Sequence, residues 1–516
     1  MTTLLMRIKD PERRRFFAEY LGGKMLGLGV VALLVLGAAW YLDTPLGAAT
    51  MHAADGPTQE QTISAINTAW VLVTAFLVFF MQAGFMCLEA GFARTREVSN
   101  VMLSCIADTC LCGILFWAFG FAFMFGTGNG WIGHQYFLLH GAPATYGSTG
   151  VAFLAFFLFQ YAFADTCSTI TTGSMVGRTA FGGDLIYSVA VSAFIYPILG
   201  HWVWGPDGWL ATMGTPFRDF AGSTVVHSIG GFIALAGAIA LGPRLGRKFK
   251  RDGGGMPPGH DMVIASVGGV ILWFGWYGFN PGSTLSALDF EGIGRVATNT
   301  TLAAAAAGLM AMFFAYPRAR KWDTGISING FLAGLVAITC PCYWVSPFGA
   351  ICIGAIAGVV VILGVDLLEH LRIDDPIGAW PVHGLCGVWG TISLGLFATG
   401  SYGLPGPTGA DTSTTVKGLF YGGGANQLKY QVFGSLVICV STFAIALVVM
   451  YAVKALGVLR ISEEVELGGL DIHEHGAPAY HPEFAYMGYS PLPSGKSNRP
   501  PGGVTAPQGS SVGVGD

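Results

Sequence analysis

Long apolar runs constrain this chain more than any other feature of its sequence. Eleven of them follow one another along 516 residues, of which only 11% are charged. A helix needs ~20 mostly apolar residues to cross a bilayer, and in lipid it satisfies its backbone groups internally. The sequence therefore predicts an all-α polytopic membrane protein with eleven transmembrane helices, near residues 66–91, 101–126, 149–175, 182–203, 220–243, 261–280, 296–317, 325–341, 347–370, 381–400 and 428–457.

A further, shorter apolar run at 25–42 follows a basic leader and precedes several small residues. This pattern is typical of a cleaved secretory signal, and the alternative is a retained extra helix or signal anchor. We therefore divide the chain into four parts. They are a signal sequence or signal anchor with a basic leader at 1–54, a transmembrane domain at 55–457, a cytoplasmic regulatory tail at 458–485, and a disordered tail at 486–516, rich in Pro, Gly and Ser.

The distribution of lysine and arginine between the loops predicts the orientation. Residues 244–251, after the fifth run, contain five Lys or Arg, whereas the loops at 127–148 and 342–346 contain none. Loops that stay in the cytoplasm carry the excess of positive charge. We therefore expect a multi-pass protein of the plasma (inner) membrane, with the N-terminus of the eleven-helix core outside and the C-terminus in the cytoplasm.

Composition also argues against several classes of function. A net charge of −4, with no basic cluster outside the loops, disfavours nucleic acid as a partner. The ten cysteines lie almost wholly inside apolar runs, so we expect buried thiols and neither disulfides nor a metal site. Because the sequence contains no nucleophile–base pair or nucleotide-binding loop, we expect no enzyme activity and no cofactor.

Two segments of the chain share the pattern Asp-x6-Val-His. One spans residues 219–227 and the other 375–383, and each continues to a glycine four residues after the histidine, Gly231 and Gly387. They open the fifth and the tenth runs. Since the two runs are five places apart in chain order, an odd number, the two helices point in opposite directions. This predicts an inverted repeat of five plus five helices, an arrangement that places sites between the halves near the midplane.

His227 and His383 each lie eight residues after the repeat's aspartate, which is about 12 Å of helix. An ionisable group at that depth indicates a functional site, although two unrelated histidines, each bonded to a helix carbonyl, would be the alternative. Their symmetric placement favours a functional pair. Two neutral imidazoles can share one proton. Such a pair suits a small molecule or a proton better than a metal cation, which would need a cage of carbonyls or carboxylates.

With these residues in view, the chain resembles the ammonium transporter family (Amt/Mep/Rh) from about residue 62 to 485. The matching motifs include 219–227, Phe274-Gly-Trp-Tyr-Gly-Phe-Asn-Pro-Gly-Ser283, 374–387 and 459–476, and several details resemble the plant-like branch. The resemblance implies a homotrimer with one pore in each subunit. It also implies that NH₄⁺ is recruited outside and that NH₃ crosses, with or without a separate proton. An ammonium sensor that signals through its tail and an Rh-type gas channel are the alternatives.

The resemblance further implies roles for individual residues. His227 and His383 match the family's twin-histidine pair. Trp204, Ser283 and Asp219 match its outer recruitment site, and Asp219 is usually structural and electrostatic there. An indole face attracts a cation, and a hydroxyl accepts a hydrogen bond that K⁺ cannot donate.

Aromatic residues are expected to gate this pore. Phe279 matches the lower of the family's two gating phenylalanines, and Trp276 is a neighbouring pore-lining aromatic. The upper gating phenylalanine falls at about Thr109, and Asp108 precedes it, as a carboxylate does in plant-like members. This departure puts the outer aromatic gate in doubt.

Three other residues need separate expectations. Asp165 is unexpected inside the third run; it should pair with a backbone donor or a neighbouring Ser or Thr, and the alternative is a pore-lining or sensing role. Glu89 should face the cytoplasm or another subunit. His473 stands where plant relatives carry a phosphorylated threonine, so control by phosphorylation at that point is not expected. If the source is prokaryotic, a PII-type regulatory protein is a further expected partner.

Overall fold

The computed structural model describes residues 57–406, 409–411 and 414–480, and eleven long helices in this part of the chain coincide with the predicted runs. By length and apolar composition nine of the described helices could cross a membrane, and α8, with 16 residues, and α10 are not among these nine. The all-α polytopic class is confirmed. The helices are α1 Gln59–Phe92, α2 Thr95–Phe125, α3 Phe153–Gly173, α4 Phe181–Trp204, α5 Ser223–Leu241, α6 Met262–Thr284, α7 Phe290–Ala319, α8 Thr324–Thr339, α9 Pro347–Leu371, α10 380–397 and α11 Asn426–Ala455.

Small elements complete the described part of the chain. Two short helices, α12 and α13, follow α11, and three two-stranded antiparallel hairpins lie in loops on the face where α1 begins, which the sequence predicts to be the outer face. The predicted segments 1–54 and 486–516 lie outside the described residues. The elements are α12 Glu463–Gly468, α13 Leu470–His475, β1 Gly128–Asn129, β2 Ile132–Gly133, β3 Thr145–Tyr146, β4 Val151–Ala152, β5 Leu404–Gly406 and β6 Gly409–Asp411.

The two aspartates of the repeat cap their helices in the same way. Asp219 accepts hydrogen bonds of 2.8–3.0 Å from four successive backbone N–H groups that begin at Gly222. Asp375 accepts three, of 2.9–3.0 Å, that begin at Gly378. Both glycines have positive φ, 113° and 83°, a conformation that a residue without Cβ adopts without strain. The pattern that the two segments share is thus Asp-x2-Gly-x3-Val-His, because a glycine stands three residues after the aspartate in both.

Each capped segment continues as a π-helical turn that contains its histidine. The turns are Ser223–Ser228 at the start of α5 and Trp380–Leu385 at the start of α10. Because α5 and α10 run in opposite directions, these matched caps and turns are related as the predicted inverted repeat requires.

The second glycine of each motif lies where α5 and α10 touch. A Cβ atom built on Gly231 would lie 2.3 Å from the backbone nitrogen of Gly384, the residue after His383. A Cβ atom on Gly387 would lie 2.5 Å from the hydroxyl of Ser228, the residue after His227. Each motif glycine therefore packs beside the partner motif's histidine, and this close approach brings the two histidines together.

Replacing Gly231 with alanine should test this contact. The added methyl group overlaps backbone that cannot move independently, so we expect the free energy of unfolding to fall by about 1–3 kcal/mol. Gly294, within α7, has no atom within 4 Å of an added Cβ. Gly294→Ala is the matched control and should melt like the unmodified chain. Thermal unfolding in detergent measures both variants, and equal melting temperatures would contradict the proposed contact.

An ion network joins two loops on the opposite, predicted inner face. Arg244 donates to both carboxylate oxygens of Asp374, at 2.8 and 3.0 Å, and Arg247 donates to one of them at 3.1 Å. Arg178 donates to the Asp374 carbonyl at 2.6 Å. Burial by itself would raise the pKa of Asp374, but the Arg244 hydrogen bond and the Arg178 charge outweigh it and hold that pKa well below its usual value.

Because the pKa of Asp374 is lower in the folded chain than in the unfolded chain, this carboxylate stabilises the fold above its ordinary pKa. That stability should be lost as the pH falls from the ordinary pKa towards the lowered one. Asp374→Asn should cost about 3–5 kcal/mol near neutral pH, since it leaves the buried Arg244 without its carboxylate partner. Thermal unfolding between pH 7 and 2 should show a constant difference above about pH 4 and a shrinking difference below it. A constant difference across this range would argue against the ionic contribution.

The segment after α11 packs against the same face. Asp471 accepts hydrogen bonds from the backbone N–H groups of Ser99 and Asn100, and Glu474 accepts one from Phe181. These N–H groups belong to the first turns of the α-helical part of α2 and of α4, where a carboxylate is favoured. Glu466 accepts hydrogen bonds from the N–H of Leu245 at 2.6 Å and from Arg460 at 2.9 Å. The tail therefore rests on its own subunit through carboxylate contacts.

Candidate pore

The structure brings His227 and His383 together in the centre of the bundle. Their Nδ1 atoms lie 3.2 Å apart, and the ring centroids are 5.3 Å apart with an interplanar angle of 25°. His227 is fully buried and His383 is 7% exposed. At this distance the N–H of one ring can donate a hydrogen bond to the lone pair of the other. The two facing nitrogens then share one proton.

An aromatic column covers the pair towards the predicted outer face. The ring of His227 stacks against Trp276 and Phe279, with centroid distances of 5.0 and 5.3 Å. Phe279 in turn stacks on Phe163 at 4.0 Å. The indole N–H of Trp276 donates to Thr339 at 2.9 Å, which holds that ring in place. A hydrated ion cannot pass such a stack with its water shell, whereas a small neutral molecule loses little there.

Above the column lies a cavity of about 410 Å³. Trp204 and Ser283 both line it, as does Phe163 at its floor. The indole N–H of Trp204 donates to the Asp219 carbonyl at 2.7 Å, and its ring lies 6.1 Å from that of Phe163. The Ser283 hydroxyl donates to the Phe279 carbonyl at 2.8 Å, so its oxygen remains able to accept a hydrogen bond.

Asp219 also lies at this cavity, but both of its oxygens are engaged. The side chain is 6% exposed and accepts four backbone hydrogen bonds at the start of α5. Its observed contacts are those of a helix cap. Arg218 also lines the cavity, and no ion pair involving it occurs among the described residues, so the cavity holds one positive charge beside its aromatic wall.

The structure does not place Asp108 and Thr109 at the pore, so the prediction that they line it is wrong. The Thr109 hydroxyl donates to the Cys105 carbonyl, and its own carbonyl accepts from Tyr161. Both residues lie on α2, away from the cavity. The ring that stacks above Phe279 is Phe163, on α3. The sequence feature that could have indicated Phe163 is the series of phenylalanines in the third run, where Phe163 follows Phe159 by one helical turn.

Glu89 does not face the cytoplasm or another subunit, so that expectation is also wrong. It is only 3% exposed and accepts hydrogen bonds of 3.1 and 3.0 Å from the hydroxyl of Thr172 on α3. A small cavity of about 20 Å³ lies between Glu89 and His383 on the predicted inner side of the pair. The carboxyl group of Glu89, in the last turns of α1, therefore lies at the inner end of the pore.

Asp165 is fully buried, and neither of its carboxylate oxygens has a hydrogen-bond partner among the described residues. Thr109 and Gln82 lie next to this carboxyl group, so the expected pairing with a neighbouring Ser or Thr stays a prediction. In the part of the chain that the structure describes, no group of three or more His, Cys, Asp or Glu is arranged to hold a metal ion.

A buried polar pair between a wide and a narrow cavity, inside a bundle of apolar helices, defines a membrane transporter or channel for a small polar molecule. Residues 69–480 match the model of the Ammonium Transporter Family, and the chain belongs to that family.

Relatives of known name support this membership. The chain is 42% identical to ammonium transporter Amt2 of Archaeoglobus fulgidus, over 90% of this chain and 96% of that protein. It is 38% identical to ammonium transporter 1 member 3 of Solanum lycopersicum, over 83% and 95% of the two chains. The resemblance to plant members that the motifs predicted is confirmed.

Solved structures show the same fold. A structure described as a sensor Amt protein superposes with a TM-score of 0.73 at 37% identity, covering 80% of this chain and 99% of that one. The structure of Mep2 from Saccharomyces cerevisiae superposes with a TM-score of 0.69 at 27% identity, covering 78% and 88% of the two chains.

Asp219→Asn should reveal whether this residue is a cap. An amide keeps one acceptor oxygen and turns an NH₂ group towards backbone N–H donors, so we expect a loss of about 1–3 kcal/mol in the free energy of unfolding. Glu291→Gln, on the exposed first turn of α7, is the control and should leave thermal unfolding unchanged. An unaltered melting temperature for the Asp219 variant would contradict the capping role.

Proposed function

We propose that this chain transports ammonium across a membrane, and that it acts by transport rather than catalysis. NH₄⁺ is recruited in the outer cavity, and NH₃ passes the paired histidines. The observation that carries the proposal is the contact between His227 and His383 beneath an aromatic column, in a chain that belongs to the ammonium transporter family.

Recruitment follows from the chemistry of the cavity wall. The face of Trp204 attracts a cation through its ring quadrupole. The oxygen of Ser283 accepts a hydrogen bond from NH₄⁺, which K⁺ cannot offer. Both groups line one cavity, so a single bound ion can meet them together. The charge of Arg218 opposes cation entry and limits how strongly the cavity concentrates NH₄⁺.

Selection follows from the cost of dehydration. An ion that enters the stack of Phe163 and Phe279 would lose its water with no charged group to replace it. Ammonium escapes this cost by giving up a proton and crossing as NH₃. The histidine pair then supplies a hydrogen-bond donor and acceptor for the neutral molecule at the narrowest part.

Two alternatives share the fold. One structural neighbour is described as a sensor. The named relatives, however, are ammonium transporters over most of both chains, and the described tail consists of two short helices docked on the pore domain. A gas channel of the Rh type does not need Trp204 and Ser283 at the cavity wall, because these groups favour a cation over a neutral gas.

We also propose a homotrimer in the plasma membrane, with the 410 Å³ cavity outside and the tail inside. The basic loop 244–251 and the tail share one face, which supports this orientation. Large exposed apolar side chains on α1, α6 and α7 offer surfaces for lipid or for neighbouring subunits. In a prokaryotic host, a PII-type regulator would bind at the same inner face.

Currents on supported membranes test the filter. Reconstituted protein should give currents with ammonium pulses and none with K⁺ pulses. His227→Ala and His383→Ala should each admit K⁺, since the cavity they leave can hold water. Phe163→Ala should raise K⁺ current less, because Phe279 still covers the pair. Phe313→Ala, exposed on α7, is the control and should behave as wild type. If selectivity against K⁺ survives both histidine substitutions, the filter role is lost.

A further inference from the structure

Four carboxyl groups are buried beside the pore, on four different helices. They are Glu89 on α1, Asp108 on α2, Asp165 on α3 and Asp184 on α4, and none is more than 3% exposed. Among the described residues, none of them takes part in an ion pair. Ionisable groups inside a membrane are costly, and they mark ion or proton pathways more often than structural contacts.

Several polar atoms in this group have no close hydrogen-bond partner in the part of the chain that the structure describes. Both oxygens of Asp108 and of Asp165 lack one, as does one oxygen of Asp184, whose other oxygen accepts from Tyr187. The hydroxyl of Ser188 is fully buried and lies next to the Asp108 carboxyl. These oxygens therefore have capacity left to hold and exchange protons.

The carboxyls follow one another in an order that crosses the subunit. Tyr161, one helical turn before Asp165, donates to the carbonyl of Thr109, the residue after Asp108. Asp108 and Asp184 lie on α2 and α4, which pack against each other, and Asp184 and Glu89 line the same small cavity. At the outer end, Gln160 precedes Asp165 by five residues on α3. It lines the outer cavity, and its Oε1 atom is unpartnered. The row thus begins beside the recruitment cavity.

Glu89 joins the row to the histidine pore. It borders the 20 Å³ cavity that contains His383, and it also borders a second cavity of about 20 Å³ lined by Ser104, Thr172 and Asp184. A space of this size holds about one water molecule when two to four polar groups surround it. Single waters in these two cavities would link His383, Glu89 and Asp184.

We propose that this row, Asp165–Asp108–Asp184–Glu89, is a proton path that runs beside the histidine pore. The proposal rests on the proposed function, because its proton comes from NH₄⁺, which splits into NH₃ and H⁺ at the outer cavity. At the first step an N–H bond of NH₄⁺ breaks, its electron pair stays on the nitrogen of NH₃, and the proton passes through water beside Gln160 to a carboxylate oxygen of Asp165. At each later step one O–H bond breaks and another forms on the next oxygen, directly or through water. The electron pair stays on the donor oxygen. The proton leaves at the inner cavity, where it can rejoin NH₃.

The same features speak against a bound metal ion. The carboxyls are spread along the membrane, and no group of three or more metal-ligating side chains is assembled in the described residues. Hydroxyl groups alternate with the acids at Ser188, Ser104 and Thr172. Such groups accept one proton while donating another, as a relay requires.

The test compares the electric charge moved with the amount of substrate taken up, in proteoliposomes that contain the full chain. Asp165→Asn and Glu89→Gln keep the shape of each side chain and remove its exchangeable proton. Two quantities are measured, the current after an ammonium pulse and the uptake of labelled methylammonium. We expect the ratio of the current to the labelled uptake to fall at least tenfold in both variants. Uptake should continue as neutral amine, which binds protons in the lumen and makes it alkaline. Glu89→Asp, which keeps an acid, should recover part of the current.

Asp289→Asn is the matched control, since Asp289 is a buried carboxyl near the predicted outer face that bonds Tyr343 and lies off the row. Its charge per molecule should equal that of wild type. The two ends of the row are independent tests, so a variant that does not fold leaves the other to decide. An unchanged ratio in a folded variant would overturn the proposal and assign the proton to the histidines. Wild-type liposomes with neither current nor uptake would refute the proposed function instead.

Discussion

The contact between α5 and α10 is the constraint on which the rest of the pore depends. Gly231 and Gly387 have no side chains, so the two helices approach until backbone meets backbone. This closeness is what allows His227 and His383 to reach a separation of 3.2 Å. The aspartate caps and the π-helical turns then orient each ring. An inverted repeat makes the arrangement symmetric, so one sequence pattern positions both halves of the site.

The space available to water differs between the outer cavity and the aromatic column beneath it. The outer cavity is wide enough to hold a hydrated cation, and the aromatic column beneath it is not. A pore that passes only a neutral molecule must deal separately with the proton left behind. Among the described residues, Asp108 and Asp165 beside the pore have carboxyl oxygens without a close hydrogen-bond partner. Selectivity and charge movement can then reside in different parts of one subunit.

The inner face is held together by ionic contacts. Asp374 binds two arginines from the loop after α5, and carboxylates of the tail bind backbone N–H groups of α2 and α4. The second 20 Å³ cavity reaches Asn100, whose side chain contacts His475 of the tail at 3.0 Å. The docked tail thus lies directly over the inner end of the row of carboxyls.

The sequence by itself determined the number and place of the helices, the inverted repeat and the histidine pair. Those features are local: each depends on the length of an apolar run or on residue spacing within one segment. Only the tertiary structure decided that Phe163 covers Phe279, that Thr109 lies away from the pore and that Glu89 faces inward. Helices in a membrane bundle are apolar almost all round, so periodicity does not show which face meets the pore. Packing between distant segments makes that choice.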